Sequence, residues 1–283
     1  MIGSNTEFWF AYAVVVMAVV GALVGSFANV VIYRVPAGMS VVRPRSSCPG
    51  CSSPIRSRDN IPLLSWLVLR GRCRDCGEPI SIRYPLIELA VAILSVAVLV
   101  WQWPVISEAE TPAALAAALC ALLAYQVFMV VSVVLTAIDL ETRRLPNRIV
   151  GAAFLSGALL LSASAILGGD YVALGGAALG AATLFSFYFL VAFAYPGGMG
   201  FGDVKLAAVV GLYLGWLGWD ALAVGAFSAF LFGGVFSLVL VAVRKAGRKT
   251  SVPFGPWMIV GAWVGIVFGK DIAAAYLGLF GLV

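Results

Sequence analysis

The chain has 283 residues, of which 62% are hydrophobic and 11% are charged, and its mean hydropathy is +1.04. Ordinary soluble domains carry about 25% charged residues, so this composition excludes a soluble protein and indicates a multi-pass membrane protein. The formal net charge is +5, and the chain contains no histidine. That absence excludes a Ser-His-Asp triad, a Cys-His pair and an HExxH zinc site, so hydrolysis here would depend on carboxylates, lysine or a metal.

Eight apolar runs are candidates for membrane spans, since a spanning helix needs about 20 apolar residues. They are 8–33, 85–106, 113–138, 149–167, 171–195, 204–219, 221–243 and 252–269. The sixth run is short and has Lys205 near its start, where a lysine can reach the interface. The apolar residues 272–283 are too few for another span, and they either extend the eighth run or lie at the surface. The sequence thus predicts an all-α polytopic membrane protein with about eight transmembrane helices.

The first run is predicted to be a lasting span rather than a cleaved signal peptide. No positively charged segment precedes it, and it exceeds the 7–15 apolar residues typical of a signal peptide. Gly21 and Gly25 are four residues apart, so they lie on one face of the helix. Small residues on such a face favour close packing against a second helix.

Positive charge is concentrated on one side of the predicted spans. Segment 34–84 contains nine arginines, and the positive-inside rule assigns it to the cytoplasm. Alternating the spans from there places both termini outside. The other inside segments are then 139–148, 196–203 and 244–251. With Lys205 at an inner span end, 17 of the 18 basic residues lie inside, and Lys270 is the exception. This bias accounts for the net charge, so we expect no nucleic-acid partner.

Four of the five cysteines form two Cys-x-x-Cys turns within segment 34–84. They are Cys48, Cys51, Cys73 and Cys76. The 21 residues between the turns slightly exceed the spacing of about 15–20 that is typical of zinc ribbons. Four thiolates can close a tetrahedral structural zinc site, and disulfides are not expected in the cytoplasm. Structural zinc is the favoured interpretation, while a redox pair and metal-free thiols stay open. Cys120 lies in the third span and is predicted to pack there.

Two acids, Asp139 and Asp203, lie at the ends of apolar runs. Ionisable residues at membrane depth are costly and point to function. Two spans separate these acids, so both lie on the cytoplasmic side, where helix packing can bring them together. Such a pair would share one proton: the ionised carboxylate would activate water while the protonated one polarised a carbonyl.

Each acid also has an ordinary interpretation. Asp139 would pair with Arg143 or Arg144, and Asp203 would pair with Lys205. Considered together, the matched topology favours the catalytic pair. Glu141 competes with Asp139 for the first position but lies further into the loop.

Asp203 ends the glycine-rich segment 197–203 (GGMGFGD). The segment lacks the Gly-Lys-Ser or Gly-Lys-Thr ending of a phosphate loop, and it follows a membrane span rather than a Rossmann strand. Glycine backbone is conformationally free and lacks side chains. The segment therefore fits a place where a peptide substrate approaches Asp203 closely.

In this order, the motifs resemble those of the type IV prepilin peptidases, a family of polytopic aspartic proteases. The resemblance extends over nearly the whole chain. It includes residues 25–36 (GSFANVVIYRVP), both Cys-x-x-Cys turns, 60–62 (NIP), 83–88 (RYPLIE), Asp139 with 145–147 (LPN), 200–206 (GFGDVKL) and 253–256 (PFGP).

The resemblance implies an aspartic endopeptidase of the bacterial inner membrane that serves type IV pilus assembly or protein secretion. Its substrates would be prepilins or pseudopilins, whose basic leader would be cut at the cytoplasmic face. Asp139 and Asp203 match the catalytic aspartates, and the four cysteines match a zinc-binding loop. Many members also N-methylate the new N-terminus with S-adenosylmethionine; whether this chain does so, and where that molecule would bind, stays open, as does the oligomeric state.

We expect the chain to comprise a first span at 1–33, a cytoplasmic four-cysteine zinc loop at 34–84 and a helical transmembrane peptidase core at 85–283. Two other functions compete with the protease. One is a proton-coupled transporter that uses the intramembrane acids, although both acids lie at one face and no inverted repeat is evident. The other is a membrane anchor for a zinc-loop interaction module.

Overall fold

The computed structural model describes residues 3–195, 199–243 and 253–281, with side chains from residue 6 onward. In these ranges the chain is helical and has no named strand. The helices are α1 (Gly3–Arg34), α2 (Leu64–Val68), α3 (Arg83–Ser107), α4 (Pro112–Thr142), α5 (Asn147–Gly168), α6 (Tyr171–Ala194), α7 (Phe201–Leu217), α8 (Trp219–Ala242) and α9 (Gly255–Gly278).

Seven of these helices are long and apolar enough to cross a membrane. Helix α7 has 17 residues, which is at the lower limit of about 17–25 for a span, and it is the eighth candidate. The prediction of an all-α multi-pass membrane protein with about eight transmembrane helices is therefore confirmed.

Several helix ends differ from the predicted spans. Helix α4 continues through Asp139 to Thr142, and α7 begins at Phe201, so both acids lie within helices rather than in loops. The last helix continues to Gly278, so most of the apolar tail extends the eighth span. The glycine pair at 197–198 and the predicted inside segment 244–251 lie outside the described residues.

The chain divides into two compact units, residues 1–108 with 129–134 and residues 109–128 with 135–283. The predicted functional division at residues 33 and 84 stays a prediction. In the first unit, α1 packs along α3. A Cβ at Gly21 would lie 2.7 Å from Oγ of Ser95, and a Cβ at Gly25 would lie 2.8 Å from Cα of Glu88. The predicted close-packing face of α1 is thus confirmed.

In the second unit, α7 packs against α5, α6, α8 and α9, and most of its residues are buried. Its contact with α6 is made backbone to backbone. A Cβ at Gly211 would collide with the carbonyl oxygen of Gly180 and lie 2.9 Å from Cα of Ala181. Membrane helices lack a hydrophobic driving force against lipid, so small residues that let backbones approach stabilise such pairs. This contact fixes the position of α7 and hence of Asp203 at its start.

We predict that Gly211→Ala lowers the free energy of unfolding by about 1–3 kcal/mol, because α6 and α7 must separate to admit the methyl group. Thermal unfolding in detergent measures the change. Gly175→Ala is the matched control, since a Cβ there would meet nothing within 4 Å in the described structure. Equal melting temperatures for Gly211→Ala and wild type would contradict the importance of this contact.

Candidate active site and metal centre

Asp139 lies in the last turn of α4 and is only 4% exposed. The helix ends just beyond it because Arg143 adopts a left-handed conformation (φ 51°) and donates its N–H to the carbonyl of Asp139 at 2.9 Å. The side-chain Oδ2 is buried without a hydrogen-bond partner among the described residues. A Cβ at Gly255 would lie 2.7 Å from this oxygen. Glycine at the start of α9 therefore lets the backbone lie directly beside the carboxyl group.

Asp203 is the third residue of α7 and is half-buried. Its Oδ2 accepts a hydrogen bond from the N–H of Gly200 at 3.2 Å, and its own N–H donates to the carbonyl of Gly200 at 3.0 Å. This reciprocal pair caps the helix and fixes the carboxyl group at the positive end of the helix dipole. One carboxyl oxygen is thereby held by the backbone, which leaves the other for chemistry.

The second unit brings the two acids together. Asp139 and Asp203 lie within electrostatic range of each other. Leu145 packs between the segments that carry them: its Cδ1 would lie 3.4 Å from a Cβ at Gly255, and its Cβ 3.0 Å from a Cβ at Gly202. The start of α7, the end of α4 and the start of α9 thus meet around Leu145.

An aromatic cluster adjoins Asp203. Tyr188 of α6 is 1% exposed, and its phenol lies within electrostatic range of Asp203. Its ring stacks on Phe230 with centroids 5.5 Å apart and lies 6.1 Å from Phe254, which directly precedes Gly255. Sequence reasoning missed Tyr188, because one phenol in an apolar span does not stand out from the aromatic residues common in membranes.

The ordinary partners proposed for the acids are engaged elsewhere or exposed. Lys205 donates from Nζ to Oδ1 of Asn147 at 2.9 Å, and its ammonium lies 4.9 Å from the ring centroid of Phe201. This contact ties the start of α7 to the start of α5.

Near the other acid, Arg143 and Arg144 are exposed, whereas Asp139 is buried. Glu141, the competing acid, is exposed as well. Burial therefore distinguishes Asp139 from its charged neighbours.

The four clustered cysteines meet in the first unit. The Sγ atoms of Cys48, Cys51, Cys73 and Cys76 lie within 4.8 Å of one another. The two turns have the same form. The N–H of Cys48 donates to the carbonyl of Ser53 at 3.0 Å, and the N–H of Cys73 donates to the carbonyl of Glu78 at 2.8 Å. Such paired turns direct two thiols each toward one point, so the cluster can hold a metal ion.

Ion pairs join the segments that carry the two turns. Arg56 contacts Asp75 at 2.9 Å, and Arg74 contacts Asp59 at 2.6 Å. The guanidinium of Arg74 lowers the pKa of Asp59 by hydrogen bonding and charge. Both pairs connect the segment after the first turn to residues of the second turn, although exposed pairs contribute little stability by themselves.

One thiol is already biased toward the form that binds metals. Hydrogen bonds from the side chain and backbone of Ser53 lower the pKa of Cys51 to about 7. Because the thiolate is the metal-binding form of cysteine, this hydrogen bonding favours metal binding at neutral pH.

Comparison with known proteins assigns both units. Residues 19–103 match the bacterial peptidase A24 N-terminal domain, and residues 126–238 match the type IV leader peptidase family. Over 287 aligned residues, the chain is 37% identical to the prepilin leader peptidase/N-methyltransferase of Aeromonas hydrophila, with 91% of each chain covered. The chain belongs to the type IV leader peptidase family.

Other members of the family are similarly close. Identity is 34% to the prepilin leader peptidase/N-methyltransferase of Stutzerimonas stutzeri and 31% to that of Pseudomonas aeruginosa, with 92% of each chain covered in both cases. No solved structure matches the chain. The resemblance drawn from the motifs is confirmed, and with it the prediction of a membrane protease. Nothing in these relatives supports the transporter.

In this member of the leader peptidase family, the metal-site residues and the two acids fall in different matched regions. The N-terminal domain match contains the four clustered cysteines, and the leader peptidase match contains Asp139 and Asp203. The thiol cluster and the carboxyl pair thus belong to separately recognised parts of one chain.

We predict that Cys48→Ser reduces bound metal from about one equivalent to near zero, because three thiolates and a hydroxyl bind a soft divalent ion far less tightly than four thiolates. Metal content is measured by inductively coupled plasma mass spectrometry on purified protein. Cys120→Ser is the control and should retain the metal, since Cys120 is not part of the cluster. Equal metal content in wild type and Cys48→Ser would refute a metal site at these cysteines.

Proposed function

We propose that this member of the leader peptidase family removes the basic leader from type IV prepilins or pseudopilins, with Asp139 and Asp203 as its catalytic pair. One observation carries the proposal: the buried carboxyl group of Asp139 lies against Gly255, and Leu145 joins that position to the start of α7, which carries the half-buried Asp203. A carboxyl pair can hydrolyse a peptide bond without histidine, which this chain lacks.

The two carboxyl groups act as one acid–base unit. Two close acids cannot both ionise cheaply, so they share a proton. The ionised member takes a proton from water as the water oxygen attacks the scissile carbonyl carbon. The protonated member donates to the carbonyl oxygen. Collapse of the tetrahedral species breaks the carbon–nitrogen bond, and the departing amine takes a proton from the pair.

The backbone around the pair holds the carboxyl groups in place and leaves room for a substrate. The N–H of Gly200 orients Asp203, and Gly255 lies against Asp139. Carboxyl groups that backbone contacts already hold in place lose little conformational entropy on reaching the transition state. Their fixed position therefore favours catalysis. Gly200 presents no side chain beside Asp203, which leaves space for an extended peptide to approach it.

The charge distribution supports cleavage at the cytoplasmic face of the bacterial inner membrane. Segment 34–84 carries nine arginines, which the positive-inside rule assigns to the cytoplasm. An even number of spans, α5 and α6, separates the two acids, so they share a face with each other. A basic leader remains inside while the following apolar segment of the substrate lies in the bilayer. The scissile bond then lies at the depth of the carboxyl pair.

We further propose that the four clustered cysteines bind a structural zinc ion. Four sulfur ligands within 4.8 Å fit a closed tetrahedral zinc site with no position for catalysis. Bound zinc would contribute folding free energy to a loop that has few buried apolar residues. The redox alternative lacks the βαβ unit of thioredoxin-like proteins among the described residues.

N-methylation of the new N-terminus is the proposed second activity. It is supported by the relatives, which are named prepilin leader peptidase/N-methyltransferase and align over about nine-tenths of this chain. S-adenosylmethionine would be the methyl donor.

We predict that Asp139→Asn and Asp203→Asn each reduce leader cleavage by roughly 10³-fold or more, because a single carboxyl group cannot supply both proton transfers. Co-expression with a tagged prepilin, read by gel shift and N-terminal mass, measures cleavage in membranes where insertion is verified. Glu141→Gln is the matched control, since this exposed acid lies two residues beyond Asp139. Processing by either aspartate variant at the wild-type rate would refute the pair.

We also predict that Gly255→Ala reduces kcat/KM for cleavage by roughly tenfold or more, because a methyl group 2.7 Å from Oδ2 displaces the Asp139 carboxyl. Gly234→Ala should leave cleavage unchanged, since a Cβ there would meet nothing within 4 Å in the described structure. Initial rates on purified prepilin in detergent distinguish the variants. If Gly255→Ala cleaves as fast as wild type and Gly234→Ala, the close contact between the Gly255 backbone and Asp139 is unnecessary for catalysis.

A further inference from the structure

A large cavity lies wholly within the first unit. Its volume is about 600 Å³, and it is lined by the end of α1, the cysteine-bearing loop and the start of α3. Cofactor and small-molecule sites typically have volumes of about 300–1,000 Å³. The cavity is therefore large enough for a nucleoside derivative.

Two buried polar side chains lie in the wall of this cavity. The first, Asn29, is 3% exposed, and its Nδ2 donates to the carbonyls of Gly25 and Tyr84 at 3.3 and 3.1 Å. Its Oδ1 is buried and has no hydrogen-bond partner among the described residues. Buried acceptors are almost always paired in native proteins, so this oxygen indicates a donor supplied from the cavity.

The second buried group is Glu88, which is 8% exposed. Its Oε2 accepts the N–H of Leu63 at 2.8 Å, which fixes the carboxyl group against the loop. Close packing of Gly25 on the backbone of Glu88 holds the helix at this point. The fixed carboxylate and the Asn29 carbonyl together offer acceptors of the kind that bind ribose hydroxyl groups.

The cavity also has an aromatic surface and an exposed positive charge. The indole of Trp66 is fixed by its Nε1 donating to the carbonyl of Ile80 at 3.1 Å. Two of the lining arginines, Arg56 and Arg74, are committed to ion pairs. Arg45 also lines the cavity, is exposed and has no ion pair among the described residues. Its guanidinium can bind a carboxylate, and the indole offers a face for a purine.

We propose that this cavity binds S-adenosylmethionine, with Glu88 and Asn29 accepting from the ribose, Trp66 contacting the adenine and Arg45 binding the carboxylate. The inference rests on the proposed N-methyltransferase activity. Methyl transfer would form a nitrogen–carbon bond at the new amine and break the sulfur–methyl bond, leaving S-adenosylhomocysteine and one released proton. Three parts of the molecule, a purine, a diol and a carboxylate, match the side chains that this wall presents.

Direct binding tests the assignment without relying on methylation. Isothermal titration calorimetry of S-adenosylmethionine into the full-length protein in nanodiscs should show one site, and S-adenosylhomocysteine should compete for it. Glu88→Gln should weaken binding by roughly tenfold or more, because the charge-assisted hydrogen bonds are lost. Glu108→Gln, an exposed acid that follows α3, is the control and should bind like wild type.

A second pair of variants covers the case in which Glu88→Gln fails to fold. Arg45 is exposed, so Arg45→Ala should retain the metal and the wild-type melting temperature while binding S-adenosylmethionine several-fold more weakly. Arg43→Ala, two residues away and outside the cavity wall, should bind normally.

Absence of binding to wild-type protein, or equal affinity in Arg45→Ala and wild type, would overturn the assignment. Prepilin cleavage by the same wild-type preparation is measured in parallel. Wild-type binding that neither Arg45→Ala nor Glu88→Gln weakens would refute the cavity assignment alone. An active protease that does not bind S-adenosylmethionine would refute both the cavity assignment and the methyltransferase activity, and an inactive protease would count against the proposed leader cleavage.

Discussion

The site in the second unit depends on one constraint: the Asp139 carboxyl group is buried at the end of α4, where only a glycine fits beside it. A buried charge is costly unless its surroundings compensate for it. Here the backbone at Gly255 lies against the carboxyl group, and the nearby Asp203 carries a charge of the same sign. Like charges oppose double ionisation, so this arrangement favours one proton shared between the two acids. Leu145 fills the space between these segments, so moving α7 or α9 would move the surroundings of Asp139. The carboxyl pair is therefore a property of helix packing rather than of either acid alone.

Glycine contacts make that packing rigid. The α6–α7 pair meets through Gly180 and Gly211, and the α8–α9 pair meets at Gly261. A Cβ added at any of these three glycines would strike backbone of the facing helix. In a bilayer the hydrophobic effect does not drive helices together, so dispersion between closely spaced backbones has a larger share in their association. The same contacts restrict movement at the start of α7. A catalytic carboxyl group needs such restriction, because small displacements cost large factors in rate.

Much of this arrangement was predictable from sequence because it follows from the lengths of apolar runs, the number of spans and the spacing of cysteines. Apolar run lengths gave the helices, and the even number of spans between Asp139 and Asp203 placed both acids at one face. Cysteine spacing predicted the cluster that the structure brings within 4.8 Å. Helix ends were less predictable: the left-handed conformation of Arg143 and the backbone cap at Gly200 decide where α4 ends and α7 begins, and neither has a strong sequence signal.

Contacts between distant residues were beyond sequence reasoning for a different reason. Tyr188 lies near Asp203, and Lys205 binds Asn147, only because the helices have a particular rotation about their axes. The closeness of Lys205 to Asp203 in sequence suggested an ion pair between them instead. The cavity of the first unit likewise depends on loop backbone, which a linear pattern does not specify.

We propose that Asp139 and Asp203 act as one unit, and the binding of a transition-state analogue tests this most directly. A hydroxyethylene peptide that mimics the leader junction would be titrated into wild type, Asp139→Asn, Asp203→Asn and the double variant. If the acids act together, each single substitution weakens binding by roughly tenfold or more, and the double variant binds no worse than the weaker single. Losses that simply add in the double variant would show two independent sites and would contradict the account.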